Sequence, residues 1–124
     1  MPHRILVADD SRLTRAIIKN ALTAAGFEVV GEAENGRQAV DMYGQLKPDL
    51  VTMDLIMPEM DGMQATKEIL SKDTTARVLV VTSLGQNLLQ EDALKAGARA
   101  MIAKPFQPPE LVKAVNDVLG AAKS

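Results

Sequence analysis

Short, unbroken apolar runs alternate along the chain with longer stretches that are apolar on one side only. The first run is Ile5-Leu6-Val7-Ala8. From Arg12 to Ala25, Leu13, Ile17, Ile18, Ala21 and Leu22 recur at helical spacing, and Gly26 stands where a C-terminal cap belongs. Phe27 to Gly31 is short and rich in strand formers. Asn35, with Gln38 three residues on, predicts a capped helix whose stripe is Ala39, Val40, Tyr43 and Leu46, closed by Pro48. Leu50 to Met53 reads as a third strand. Asp61 with Gln64 repeats the capping pattern ahead of a helix to about Ser71, and Val78 to Val81 is a fourth strand. Leu88 to Ala96 predicts a helix closed by Gly97, and Ala100 to Ala103 a fifth strand. Pro108 and Pro109 suit the first turn of a last helix, ending near Gly120, where missing N–H groups cost nothing. The order is βαβαβαβαβα. Strands without polar alternation predict a parallel sheet covered by helices on both faces. Five units suit an open doubly wound sheet; a barrel needs eight units and ~250 residues.

A length of 124 residues predicts a single domain, and the short tail Ala121-Ala122-Lys123-Ser124 fits a protein without an output domain. The chain has no cysteine, which removes disulfide scaffolds, thiol catalysis and Cys-ligated zinc. Its one histidine, His3, stands next to the N-terminus, which argues against a Ser-His-Asp triad and a multi-histidine metal site. Lys and Arg number 14 against 16 Asp and Glu, for a net charge of −2, so no basic excess attracts DNA. No apolar run approaches the ~20 residues of a membrane span, and MPHRILVADD lacks a secretory apolar region, so the expected setting is cytoplasmic, with no membrane partner. Aromatics are 2% (Phe27, Tyr43, Phe106), too few for flavin stacking or a base-stacking platform. The seven methionines read as core filler.

Open sheets of this kind bind ligands beyond the carboxyl ends of their strands. There the sequence places Asp9-Asp10, Asp54, Thr82-Ser83 and Lys104-Pro105. Each has an ordinary role open to it. Asp10 or Ser11 could cap the first helix, Asp54 could be a loop acid before Pro58, Thr82 and Ser83 could finish a strand and a turn, and Lys104 could be a surface lysine. Their joint occurrence at one edge is harder to account for that way. Two carboxylates ~5 Å apart repel by ~3 kcal/mol at an effective dielectric of ~20, so three in one cleft either raise each other's pKa or recruit a cation. An all-oxygen donor set selects Mg²⁺ (or Mn²⁺). Beside it, Lys104 supplies a point charge for phosphate, the Thr82 hydroxyl can donate to a phosphate oxygen, and a carboxylate can become an aspartyl phosphate.

Other motifs fail on their residues. Gly31 to Gln38 has the glycine spacing of a P-loop, but Arg37 and Gln38 replace the required Lys and Ser/Thr, and there is no GxGxxG. A Mg²⁺-dependent phosphohydrolase using Asp54 or Asp9 as nucleophile is the enzymatic alternative. Its haloacid-dehalogenase-like form needs a second acid at position 11, where Ser11 stands, and there is no cap domain. A flavodoxin-like electron carrier lacks its phosphate loop and aromatics.

Asp9-Asp10, Asp54 within Met53-Asp54-Leu55-Ile56-Met57-Pro58-Glu59-Met60-Asp61-Gly62, Thr82-Ser83 and Lys104-Pro105-Phe106 together make the chain resemble a response-regulator receiver domain over residues 4–120, most of all the stand-alone chemotaxis type. The resemblance implies a flavodoxin-like (βα)5 fold with strand order 2-1-3-4-5. It implies Asp54 as phosphoacceptor, Mg²⁺ held by Asp10, Asp54 and the Ile56 carbonyl with Asp9 acting through water, and Thr82, Ser83 and Lys104 as phosphoryl contacts. It implies a sensor histidine kinase as donor, a target protein on the face of the fourth helix, fifth strand and fifth helix, and a signalling protein, not an enzyme. A receiver domain excised from a longer transcriptional regulator is the variant of this reading. Met101 replaces the aromatic residue often found three positions before the lysine. Ile56 and Leu84 stand two positions after Asp54 and Thr82, and neither side chain can orient an attacking water, so slow self-dephosphorylation and a separate phosphatase are expected.

Overall fold

The computed structural model describes residues 2–83 and 86–121. The elements are β1 (Arg4–Ala8), α1 (Arg12–Ala24), β2 (Glu28–Ala33), α2 (Gly36–Leu46), β3 (Leu50–Met53), α3 (Gly62–Lys72), β4 (Val78–Thr82), α4 (Gln86–Lys95), β5 (Ala100–Ala103) and α5 (Pro108–Ala121). All strand pairs are parallel and the order is β2-β1-β3-β4-β5, the doubly wound arrangement expected. Three N-caps are local chemistry: the side chains of Ser11, Asn35 and Asp61 accept from the backbone N–H of Thr14, Gln38 and Gln64. The expected capping box at Asn35 is displaced by one residue, because the Gln38 amide oxygen accepts from Glu34 N–H. Of the predicted helix Leu88 to Ala96, Ala96 lies past the end of α4. Residues 122–124 of the expected tail, and Leu84, lie outside the described residues.

Side chains alternate between two cores, as the strand period requires. Leu6, Ala8, Val51, Met53, Val78 and Val80 face a core shared with α2 and α3. Ile5, Val7, Leu50, Leu79 and Val81 face a second core shared with α1 and α5. The described methionines Met42, Met53, Met57, Met60, Met63 and Met101 all belong to or pack on the first, which bears out their reading as core filler. The expectation that every strand is buried on both faces holds for β1, β3 and β4 in the middle; the edge strands β2 and β5 are half-buried. On α1, Ile18 and Leu22 are buried, whereas Leu13 and Ile17 are 72% and 46% exposed, so the apolar stripe is wider than the arc the sheet covers.

At the amino edge of the sheet, opposite the acidic end, the Tyr43 hydroxyl donates to Asp73 Oδ2 at 2.7 Å and ties α2 to the end of α3. Burial first, and this bond second, push the Tyr43 phenol well above its ordinary range. A bond from Thr75 first, and from Tyr43 second, holds Asp73 below the usual carboxylate range. Tyr43→Phe is expected to cost about 1 kcal/mol at neutral pH, read by urea unfolding. Because the folded phenol titrates above the unfolded one, its contribution is complete below about pH 10 and is lost as pH rises through the folded pKa. The variant lacks that alkaline loss; equal stability of the two proteins at neutral pH would contradict the bond's role.

Candidate phosphoryl-acceptor site

The three parallel central strands deliver their last residues to one edge. Asp9 follows β1, and its N–H donates to Ala33 O of β2 at 3.0 Å; Asp54 follows β3, and its N–H donates to Ala8 O at 3.0 Å. These two bonds continue the sheet by one residue and bring the acids side by side. One carboxylate oxygen each from Asp9, Asp10 and Asp54 lies within 4.8 Å of the others. Asp9 and Asp54 are buried and Asp10 is exposed. Between the buried two sits Lys104, delivered by the end of β5, with Nζ 2.6 Å from Asp9 Oδ2 and 3.2 Å from Asp54 Oδ2. Its backbone N–H donates to Thr82 O at 2.9 Å, tying the ends of β4 and β5 together, and the Lys104–Pro105 peptide is cis.

The electrostatics follow from burial. Desolvation is the largest influence on Asp54 and raises its pKa; the Asp9 charge adds to it, while Lys104 and the Ile56 N–H, 3.4 Å from Oδ1, work against it. Lys104 feels desolvation pulling its pKa down, but its bonds to Asp9 and Asp54 outweigh that and the net shift is upward. Asp9 has both oxygens engaged, Oδ1 by Ser11 N–H at 2.9 Å and Oδ2 by Lys104. Asp54 is engaged in the same way but at longer distances, Oδ1 by the Ile56 N–H at 3.4 Å and Oδ2 by Lys104 at 3.2 Å. Thr82 is fully buried at the end of β4. Ser83 is exposed and lines, with Thr14, Ile17, Lys104, Pro105 and Phe106, a small cavity beside the lysine. Ile56 is 51% exposed in the loop after Asp54.

That loop is clamped from behind. Gly62 N–H donates to Leu55 O at 3.0 Å, and a Cβ on Gly62 would collide with the main-chain carbonyl of Asp54. Only glycine lets α3 begin against the main chain of Asp54.

The sequence reading passed over Arg15. It is buried, its Nη1 donates to Asp9 O at 2.6 Å, and its Nε donates to Glu32 Oε1 at 3.2 Å. The signal was present: a charge at position 15 shares a helix face with Ile18 and Leu22. The end of β2 supplies the Glu32 partner.

A parallel 2-1-3-4-5 sheet with three acids and an ammonium converging at its carboxyl edge defines the receiver class of two-component signalling. The chain belongs to the response regulator receiver domain family, whose model matches residues 5–116. It is 49% identical over 118 residues to the chemotaxis protein CheY of Thermotoga maritima, covering 95% of this chain and 98% of that one. It is 50% identical over 119 residues to CheY of Bacillus subtilis, covering 96% and 99%. Among solved structures it is similar to a CheX–CheY–BeF₃–Mg²⁺ complex from Borrelia burgdorferi, with TM-score 0.93, 33% identity, and coverage of 95% of this chain and 90% of that one. It is a receiver of the CheY type, a phosphorylation-switched response regulator of chemotaxis signalling. Among the described residues no helix is long and apolar enough to cross a membrane.

Proposed function

We propose that residues 1–124 act as one receiver domain in the cytoplasm and that Asp54 takes the phosphoryl group, from a phosphohistidine of a sensor histidine kinase. An Asp54 carboxylate oxygen attacks phosphorus, the P–N bond breaks, and its electron pair returns to the imidazole. The convergence of three carboxylates within 4.8 Å carries this reading. The donor set is all oxygen, with one exposed acid beside two buried ones, which fits Mg²⁺. Asp10, Asp54 and the Ile56 carbonyl would hold the ion, with Asp9 acting through water. When bound, Mg²⁺ would offset the negative charge of acceptor and incoming phosphoryl group.

Lys104, already balanced between Asp9 and Asp54, would swing to a phosphoryl oxygen, and Thr82 and Ser83 would supply hydroxyl contacts. The phosphoryl group adds ~1.5–2 negative charges, so it draws these donors toward the site. Because the main chains of Thr82 and Lys104 are bonded to each other, the pull would reach the face of α4, β5 and α5, where a target protein would dock. Met101, half-buried on β5, stands in the aromatic position and would answer by changing rotamer. The exposed apolar Ile56 supports slow self-dephosphorylation and a separate phosphatase.

The test is incubation with acetyl phosphate, with Mg²⁺ or with chelator, followed by intact mass spectrometry. A labile gain of one phosphoryl mass in Mg²⁺, absent with chelator, is expected. No gain in either condition contradicts the reading.

A further inference from the structure

We propose that Arg15 is a positioning residue for the phosphoryl-acceptor site, holding the peptide between Asp9 and Asp10 so that the Asp10 carboxylate faces the other two. This deepens the reading above and rests on it.

Arg15 lies one turn into α1, on the face that carries Ile18 and Leu22, and its side chain is 7% exposed. A buried guanidinium must spend its donors well. Its shortest bond, 2.6 Å from Nη1, goes to the main-chain oxygen of Asp9 and not to a carboxylate. Its other side is anchored on the β2 end and the loop beyond, with Nε 3.2 Å from Glu32 Oε1 and Nη2 3.8 Å from Glu34 Oε1. That anchor is itself fixed. Glu34 N–H is held by the Gln38 side chain at 2.9 Å, and Lys19 lies 3.7 Å from the second oxygen of Glu32.

The consequence falls on Asp10. Asp9 is held through its own side chain by Ser11 N–H and Lys104. Asp10 is exposed, and among the described residues no hydrogen bond or ion pair fixes its carboxylate, so its direction comes from the backbone alone. The Asp9–Asp10 peptide is the start of that backbone, and Arg15 grips its oxygen. A planar fork can meet a carbonyl and a carboxylate together; an ammonium on a flexible stem cannot meet both with fixed geometry.

Charge and geometry predict opposite results. Deleting a cation beside three acids should tighten binding of a divalent cation, whereas loosening Asp10 should weaken it. Arg15→Met is therefore expected to weaken Mg²⁺ binding about tenfold, followed by amide chemical shifts, and to slow phosphorylation by acetyl phosphate at saturating Mg²⁺ by a similar factor, as for other partners that orient metal ligands. Circular dichroism reports the folded fraction, which a purely structural role would move without moving either constant for the folded molecules. Arg15→Lys, which keeps the charge and loses the fork, is the second variant should Arg15→Met fail to fold, and weaker Mg²⁺ binding is expected there too. Mg²⁺ affinity that is unchanged or tighter in the folded variant, with a wild-type rate, overturns the proposal. If the wild-type protein takes up neither Mg²⁺ nor phosphoryl group, the acceptor reading fails and this inference falls with it; if the wild type does both and the variants match it, only Arg15's role is lost.

Discussion

Asp54→Asn is expected to abolish phosphoryl uptake completely while leaving a metal-free fold more stable than the wild type. The first half is stoichiometric: an amide offers no carboxylate oxygen for the acyl phosphate. The second half comes from burial. Desolvation raises the Asp54 pKa despite Lys104 nearby, and the Asp9 charge pushes the same way. A carboxyl whose pKa is higher folded than unfolded makes its ionised form a liability to the fold, so the liability grows as pH rises through the folded pKa and is absent below the unfolded one. Asn keeps the shape and removes the charge. Urea unfolding without divalent cation should therefore give a higher midpoint for the variant at neutral pH, with the gap closing as pH falls through the folded pKa and gone below about 4. Added Mg²⁺ should stabilise the wild type, by preferential binding to the folded state, and the variant much less. A variant that still takes up a phosphoryl group, or one less stable than the wild type at neutral pH, contradicts this.

Lys104→Ala is expected to cost about 2–4 kcal/mol without Mg²⁺ and to regain much of it in millimolar Mg²⁺. Stripping one partner from a buried ion pair usually costs ~3–5 kcal/mol, because the other charge is stranded. Here the lysine side chain is 18% exposed and the two carboxylates 1% and 7%, so water reaches the ammonium more easily than the acids and the figure is discounted. Alanine leaves Asp9 and Asp54 side by side without the cation that bridges them. A divalent ion restores that neutralisation, which makes the Mg²⁺ dependence of stability steeper in the variant than in the wild type. Denaturant unfolding with and without Mg²⁺ reads both quantities. An unchanged metal-free midpoint would mean that the acids are not held together by the lysine.

What could be read from the chain follows from where the signal is local. Leu50–Met53, apolar but for Thr52, and Ala100–Ala103, an unbroken apolar run, are strands with those bounds. Asn35 and Asp61 cap helices because their side-chain oxygens sit three residues before the N–H they accept from. The site acids were legible because parallel strands deliver their carboxyl ends to one edge. Other features depend on distant neighbours. β2 continues through Gly31 and Glu32 to Ala33, past the apolar run, because those residues pair with Leu6, Val7 and Ala8 after a register shift. Leu13 and Ile17 share the spacing of Ile18 and Leu22, yet periodicity names a face without saying how much of its arc another element covers. The Tyr43–Asp73 bond joins residues thirty positions apart, with no local pattern to betray it. The place of Arg15 on the buried face of α1 is visible from the spacing of Ile18 and Leu22, but its role is not, because its partners, Asp9 O and Glu32, lie on other segments.

Borohydride reduction of the protein treated with acetyl phosphate and Mg²⁺, followed by peptide mass spectrometry, tests the assignment of the acceptor most directly. The reagent converts an aspartyl phosphate to homoserine and so marks the residue that carried the phosphoryl group. Homoserine at position 54 alone, formed only when Mg²⁺ is present, is the predicted result. Homoserine at position 9 or 10, or at none of the three, would contradict it.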